Sequence, residues 1–560
     1  VHDPSIPVGA VRRLGDRAFL VGVADAAAAR GLARGLTAAL AGVGDVVCGS
    51  ATVMVRAQDP SVELSAVEAV VDAARADLAQ RRRSDEEVGP GRLVTVPCRF
   101  DGPDLDEVAA LAGCRPVDVV AQLTAGPLTA AVVGFSPGFA YLEGLPTPLD
   151  GVPRRARPRP VVPAGSVAVA NGHAAVYPTA SPGGWHLVGR TGYPFFSALA
   201  PPYATLAPGD QVRFTVAGAG ERVEPEPVVA PPWSPPPNAR AVFEVVVPGL
   251  RAVLQDGGRR SVAAVGVPEA GPADPDSFDL ANRVTGNQPG AAALELTGGG
   301  TRLRCLEECH VTVVGAAPEV RVDGASVPAG QLLPLGAGQV LEVGRQHGGC
   351  RSYVSVAGGF LGPEWFGSCA SDELTGLGPG ALAAHHVLHA GAWAPPLGDH
   401  VAAGCVTDVD TSSTVGLRVL PGPHAGLFDD DALTRLATAV FVVEAASNRV
   451  GLRLRAEAGA TPLRSRPGGG TLDSHGVVTG AVQVPPDGDP VILLPDHATL
   501  GGYPVLAVVA SVDHGLLGQC APGTRVRFVP VPATEADEAR RTRRRELAHA
   551  VAGTYPLAVD

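Results

Sequence analysis

The chain has 560 residues, 46% of them apolar, which is material for several cores and suggests three to four domains at about 150 residues each. Its formal net charge is −12, and with no lysine all 44 basic residues are arginine. That excludes a Walker-type phosphate loop, a lysine Schiff base and an in-chain biotinyl-lysine, and no basic patch of the kind that grips nucleic acid is present.

Glycine and proline make up about 22% of the chain and punctuate short apolar runs. This predicts many short strands joined by tight turns, a mainly β protein. No apolar run is long enough to span a bilayer, and no signal peptide is read. The nine cysteines are odd in number and scattered, so free thiols in a reducing compartment, and a cytoplasmic protein, are expected.

Residues 1–92 read as a small α/β domain. A strand near 18–23 precedes an alanine-rich helix at 26–41, and a strand at 51–57 precedes a helix at 66–83. The second helix sets Val67, Val70, Val71 and Ala74 on one face. Strand–helix–strand–helix at this length predicts a small open sheet. Residues 93–220 open with a strand at 93–96 and helices at 104–112 and 116–123, then continue as strands and turns to 212–216. Residues 221–241 hold the run EPEPVVAPPWSPPP, which supports neither helix nor sheet hydrogen bonding and reads as a linker. Residues 242–530 are again strand and turn, and 531–560 form a charged helical tail. In that tail Arg540, Arg541, Arg543, Arg544 and Arg545 among Glu535, Asp537, Glu538 and Glu546 predict a solvated, salt-bridged face.

The two large segments echo each other. Ala164-Gly165-Ser166-Val167, Gly183-Gly184-Trp185 and Pro208-Gly209-Asp210-Gln211-Val212-Arg213-Phe214 stand in the first. Thr479-Gly480-Ala481-Val482, Gly501-Gly502-Tyr503 and Pro522-Gly523-Thr524-Arg525-Val526-Arg527-Phe528 follow in the same order in the second. The echo predicts two copies of one β-barrel topology.

Gly134-Phe135-Ser136-Pro137-Gly138 fits G-x-S-x-G, but Pro137 and Gly138 deny the helix a nucleophile elbow needs. A ligand-holding loop of backbone N–H groups is the better reading. Cys305 and Cys309-His310 lie in a strand-like alternation without zinc spacing. His385-His386-Val387-Leu388-His389 reads as a surface loop, and Gly376-Leu377-Gly378-Pro379-Gly380 lacks the context of a dinucleotide site. Polar residues crowd the turn-rich strands: Arg154, Arg155, Arg159, Ser166, Tyr177, Trp185 and Arg190 in the first half, and Gln255, Asp256, Arg259, Asp274, Asn282, Glu295, Asp372, Arg449, Arg453, Gln483, Asp496 and Tyr503 in the second. As a set they predict a site lined by arginine, aspartate and glycine N–H groups.

The segments GFSPGFAYLEGLP, PRRARPRPVVPAGSVAVA and YPTASPGGWHLVGRTG resemble the first subunit of the 5-oxoprolinase and allophanate hydrolase-like pair. After the linker, VPGLRAVLQDGGR, GVPEAGPADPDSFDLANRVTGN, SNRVGLRL and GAVQVPPDGDPVILLPD resemble the second. The resemblance covers roughly 10–530 and makes the chain a fusion of the two. It implies cyclophilin-like β-barrels, one in the first half and a tandem pair in the second.

The activity implied is ATP-dependent opening of a lactam or amide such as 5-oxoproline to glutamate, with ATP and Mg²⁺, beside a separate metal-dependent subunit. Two other activities go with the family. One is carboxyl transfer to urea or another amide from a separate biotin carrier. The other is non-catalytic regulation of a histidine kinase by a pair of the KipI and KipA type. The resemblance places Arg155, Arg159, Asp256, Asp274 and Arg449 as catalytic candidates in a cleft between the halves. It places Phe135, Gly138, Tyr141, Ser166, Tyr177, Gly183, Gly184, Trp185, Arg190, Gln255, Arg259, Asn282, Arg453, Gln483, Asp496 and Tyr503 as substrate- or nucleotide-binding candidates, with no metal ligand assigned. No nucleic acid or membrane partner is expected, and a homo-oligomer is possible on this reading. The family pattern has polar groups where this chain has Leu123, Leu128, Cys369 and Ala498, and a Ser-Glu pair where it has Ser474-His475.

Overall fold

The computed structural model describes residues 6–40, 44–58, 62, 64–83, 91–218, 220–228, 230–316, 319–393, 401–402, 413–459, 461–466 and 470–552. The N-terminal unit is an antiparallel sheet in the order Val11–Arg13, Ala18–Gly22, Thr52–Ala57, Gly44–Cys48. Helix Ala26–Ala39 starts where Asp25 Oδ1 accepts the Ala28 N–H at 2.7 Å, and it buries Ala28, Ala29, Leu32 and Leu36. Helix Leu64–Arg83 buries Val67 and Val71, with Val70 and Ala74 packed beside them, as the spacing predicts. Of the two edge strands, Val11–Arg13 has one apolar residue and does not stand out in the sequence, while Gly44–Cys48 carries Val46, Val47 and Cys48. The other face of this sheet offers Leu20, Val47 and Met54 to a cluster with Val477, Leu500 and Val508. The strand Ala18–Gly22 is therefore buried along its whole length, covered by helices on one face and a barrel on the other.

The first-half barrel runs in the order Leu93–Cys98, Gln211–Val216, Leu128–Val133, Ala140–Glu143, His173–Val176, Ser166–Ala170, His186–Arg190. Its first and last members in sequence, Leu93–Cys98 and Gln211–Val216, pair in parallel. A single bridge, Arg99 to Arg190, nearly closes the ring. Helices Leu105–Ala112 and Pro116–Thr124 cover one end.

The last barrel runs Val415–Pro421, Arg525–Pro530, Phe441–Val443, Gly451–Ala456, Val491–Leu493, Ala481–Gln483, Val505–Val509, and its ends pair to close it. Strand for strand this is the order of the first-half barrel, including the parallel pair, Val415–Pro421 with Arg525–Pro530. The echoed PGDQVRF and PGTRVRF segments are the equivalent strands in the two rings.

The middle unit departs from the expected second member of a barrel pair. It is a seven-stranded and a five-stranded sheet sharing one core, with Leu294, Leu303, Val313 and Val354 at its centre. The chain leaves Thr301–Cys305 in one sheet and enters Cys309–Gly315 in the other, so hydrogen bonding breaks at that corner instead of running round a ring.

The proline-rich segment is docked. Glu224 pairs with Arg190, and Trp233 stacks edge-on against His389 with centroids 5.6 Å apart. On the tail helix Ala533–His549, Arg541, Arg544 and Arg545 are exposed, as expected of a solvated face, and Arg540 and Arg543 are the exceptions. Arg540 is buried, and Arg543 Nε donates to Asp276 Oδ2 at 2.7 Å, because the helix packs against the last barrel through Ala536 and reaches helix Pro275–Val284 of the middle unit. Residues 553–560 of the expected tail lie outside the described residues. Among the described residues no helix is long and apolar enough to cross a membrane.

Candidate functional site

The strand Leu128–Val133 turns into Ala140–Glu143 through Gly134–Phe139. Phe135 adopts φ 72°, a region that L-residues with large side chains avoid, and Gly138 adopts φ 73°. The turn is wedged between the halves. The Gly138 N–H donates to Val265 O at 2.9 Å, and any side chain at Gly134 would run into Leu500. A second aromatic residue, Phe366, adopts φ 59° in the second half and packs against Phe196 and Tyr203. Paired backbone strain on two sides of one junction marks a place that surrounding structure has to enforce.

Between these walls lies a cavity of about 410 Å³. Pro137, Thr179 and Phe196 come from the first half, Val228 and Ala230 from the linker, and Trp365 with residues 375–379 from the second half. The volume falls within the range of small-molecule sites, roughly 300–1,000 Å³.

The loop that supplies residues 375–379 is pinned at both ends. Ser371 Oγ accepts the Gly380 N–H at 3.1 Å. Asp372 Oδ1 accepts the N–H groups of Leu374 and Thr375 at 2.8 and 3.0 Å, and its other oxygen accepts the Thr375 hydroxyl. Burial, with Asp496 nearby, pushes Asp372 up to about 6, while Arg259 at 3.6 Å pulls it back.

Behind the loop runs a buried ion network. Asp496 accepts the Glu373 N–H at 2.9 Å and is held from two sides by Arg449, at 3.0 and 2.8 Å. Arg449 also donates to Glu295 at 2.6 Å, and the Tyr353 hydroxyl donates to Glu295 at 2.7 Å. Burial pushes Glu295 up, but Arg449 and Arg351 outweigh it and hold the carboxyl below its ordinary range. Asp274 caps helix Pro275–Val284 and accepts from Gln519 at 2.7 Å. Arg449 and Asp496 belong to the last barrel, and Glu295, Tyr353 and Asp274 to the middle unit, so the network cements the two.

This geometry revises the arrangement expected from sequence. Arg155 and Arg159 do not face Asp256, Asp274 and Arg449. Both donate to Asp104 within the first half, at 2.9 and 2.7 Å, and Arg155 also reaches Glu107. Arg190 pairs with Asp101 at 2.9 Å. Asp256 accepts from Ser368 and the Cys369 N–H at 2.6 and 2.8 Å. Each arginine has taken the carboxylate nearest in its own half, where partial burial favours a short pair.

Of the binding candidates, Phe135, Tyr141, Tyr177 and Trp185 form one aromatic cluster around Phe139. Burial raises the Tyr141 and Tyr177 hydroxyls above their ordinary range. Gly183 leaves room for the Tyr177 ring, and Gly184 O accepts the Arg155 N–H at 2.9 Å. Ser166 donates to Pro163 O, Gln255 to Ser371 O and Asn282 to Ala291 O. Arg259 is buried and donates to Ala370 O. Arg453 and Tyr503 are exposed.

Ser136 Oγ, Thr499 Oγ1 and Gln483 Nε2 are buried without a hydrogen-bond partner among the described residues. Thr499 abuts Gly134, and Gln483 abuts Gly501, so orphaned polar atoms collect around the Gly134–Phe139 turn. Such atoms call for a ligand or water. Leu123 and Leu128, where the family pattern has polar groups, are core residues of the first-half barrel. Cys369 is also core, and Ala498 enters only through its carbonyl, which bonds the His497 ring.

Sequence reasoning missed the cavity walls Thr179, Phe196, Trp365 and Leu377. The glycines and proline of 376–380 carried the signal of a built loop, but without a partner to place it against.

The walls carry no charged side chain. Among the described residues no group of three His, Cys, Asp or Glu could hold a metal ion. With the expected arginines neutralised elsewhere, these residues do not fit Mg-ATP in this cavity.

Residues 10–206 match the family profile described as carboxyltransferase domain, subdomain C and D, and residues 265–530 match carboxyltransferase domain, subdomain A and B. The chain is 32% identical over 315 residues to the C component of 5-oxoprolinase from Escherichia coli K12, covering 54% of this chain and 96% of that protein. It is 42% identical over 126 residues to the B component of 5-oxoprolinase from Escherichia coli O157:H7, covering 22% of this chain and 57% of that protein. The crystal structure of TTHA0988 superposes with a TM-score of 0.77 at 32% identity, covering 92% of this chain and 99% of that one.

Proposed function

Given that the chain belongs to the carboxyltransferase-domain family, with its C/D and A/B parts fused and related to the B and C components of 5-oxoprolinase, we propose that it is the lactam- or amide-binding part of a 5-oxoprolinase-type enzyme. The observation that carries this reading is the cavity, whose walls come from both halves and from the segment that joins them. Parts related to two separate polypeptides would then need each other to complete the site, and fusion holds them together.

A lactam amide is a poor electrophile. Activation at its oxygen supplies a leaving group, after which water opens the ring. The walls suit a lactam ring, with Thr375 to accept its N–H and Thr179 to donate to its C=O, while the carboxylate that 5-oxoproline also carries meets no cation here and has to face out of the cavity. Thr375 already donates to Asp372, so its oxygen is turned toward accepting. Because the walls do not fit Mg-ATP, nucleotide and Mg²⁺ fall to the separate metal-dependent subunit, and this chain binds and orients the substrate.

The test is ADP release with Mg-ATP, run with this chain, the partner subunit, and the two together, across 5-oxoproline, other lactams and ureas. Substrate-stimulated release that needs both chains is expected. Release by the partner alone at the same rate contradicts the reading. The family profiles favour one second reading, carboxyl transfer to urea or another amide from a separate biotin carrier. It predicts turnover with carboxybiotin and none driven by ATP.

A further inference from the structure

The turn that carries the chain between the two sheets of the middle unit is bounded by cysteines. Cys305 closes strand Thr301–Cys305 and Cys309 opens strand Cys309–Gly315. Their Sγ atoms lie 3.7 Å apart, in hydrogen-bonding contact, and Cys305 also donates toward Glu307 O at 3.0 Å. Both side chains are buried, yet Leu306, Glu307 and Glu308 between them are exposed, so only a three-residue turn separates the pair from solvent.

A metal is not the explanation, because no third ligand joins them among the described residues. His310 instead lays its ring beside Trp393, centroids 4.5 Å apart. The contact with Cys309 draws the Cys305 thiol below its ordinary range, and the same contact pushes Cys309 up. Burial is the main cause that pushes the thiols of Cys98 and Cys520 up to about 12. The pair thus holds an attacking and a resolving thiol 3.7 Å apart.

We propose that Cys305 and Cys309 form a dithiol that closes reversibly to an intramolecular disulfide under a peroxide-class oxidant. The Cys305 thiolate attacks one peroxide oxygen, the O–O bond breaks, and hydroxide leaves, taking a proton to become water. Cys305 is then a sulfenic acid. Cys309 loses its proton to solvent and attacks the Cys305 sulfur, and the sulfenic oxygen leaves as a second water. The two sulfurs lose two electrons and the peroxide oxygens gain them. The bond would tie one sheet of the middle unit to the other at their shared corner.

Peptide mapping tests this on the intact chain. It is treated with stoichiometric hydrogen peroxide, alkylated in denaturant and digested. The expected result is a peptide containing Cys305 and Cys309 that is lighter by two hydrogens and unlabelled at both, with Cys98 and Cys520 labelled. Dithiothreitol restores labelling. Full labelling of both, or bonding of either to another cysteine, overturns the proposal. In Cys309→Ser, Cys305 should instead be trapped as a sulfenic acid by a cyclic dione, and a folded variant with no adduct there also overturns it.

Discussion

In the first-half barrel, the turn from Leu128–Val133 to Ala140–Glu143 is glycine-rich and borders an open cavity. In the last barrel the equivalent turn, from Phe441–Val443 to Gly451–Ala456, carries Arg449, whose guanidinium fills the junction and is clamped by Asp496 and Glu295. One strand order thus presents the same turn twice. Where the turn is small and apolar it leaves room for a ligand; where it carries a long cation it becomes a fastening between units. Topology fixes where the two turns stand, and side-chain chemistry decides which becomes a site.

The largest effect should follow from breaking the fastening. Arg449→Met leaves Asp496 buried without the cation that clamps it and Glu295 with Arg351 alone, at a cost of about 3–5 kcal/mol. Urea unfolding reads this directly, and a loss under about 1 kcal/mol would deny the turn its fastening role. Next comes the open turn. Gly134→Ala drives a methyl into Leu500 and should cost about 1–3 kcal/mol while weakening substrate-dependent turnover. A neutral result would show that the halves do not meet as closely as this turn requires.

Two carboxylates sharpen the contrast through pH. Burial pushes Asp104 up, but Arg159, the Leu187 N–H and Arg155 outweigh it and hold the carboxyl below its ordinary range. Its stabilisation is therefore present above an unfolded value of about 4 and lost as pH falls through the lower folded value. Asp372 has the opposite sign. Raised to about 6, it favours the folded state below about 4, and that advantage is lost as pH rises through about 6. In thermal midpoints from pH 3 to 7, Asp104→Asn should flatten the acid-side fall. Asp372→Asn should instead remove a decline between about pH 4 and about 6. Identical profiles for the two variants would mean that the first-half pairs and the loop behind the cavity sit in equivalent environments.

Much of this architecture was legible in the chain. The repeated PGDQVRF and PGTRVRF segments announced the duplicated barrel, and the proline-rich run marked the divide. The pairing of polar residues was not. Arg449 and Asp496 are 47 residues apart and Arg449 and Glu295 are 154 apart, while Arg155 and Arg159 find their partner Asp104 51 and 55 residues away in their own half. An arginine shows its charge in a sequence but not which carboxylate folding will bring to it. The cavity walls were hidden for another reason. Trp365 and Leu377 look like core residues, and the linker looks like a spacer, until the two halves are brought face to face.

The most direct test of the cleft as the substrate site is to fill it from its most tolerant wall. Ala230 lines the cavity yet is exposed and lies in the linker, so Ala230→Trp should occupy the space without disturbing either barrel. Turnover with the partner subunit and 5-oxoproline would be compared with wild type beside the thermal midpoint. Loss of substrate-stimulated ADP release at an unchanged midpoint is the predicted result. Undiminished release would contradict the placement of substrate between the two halves.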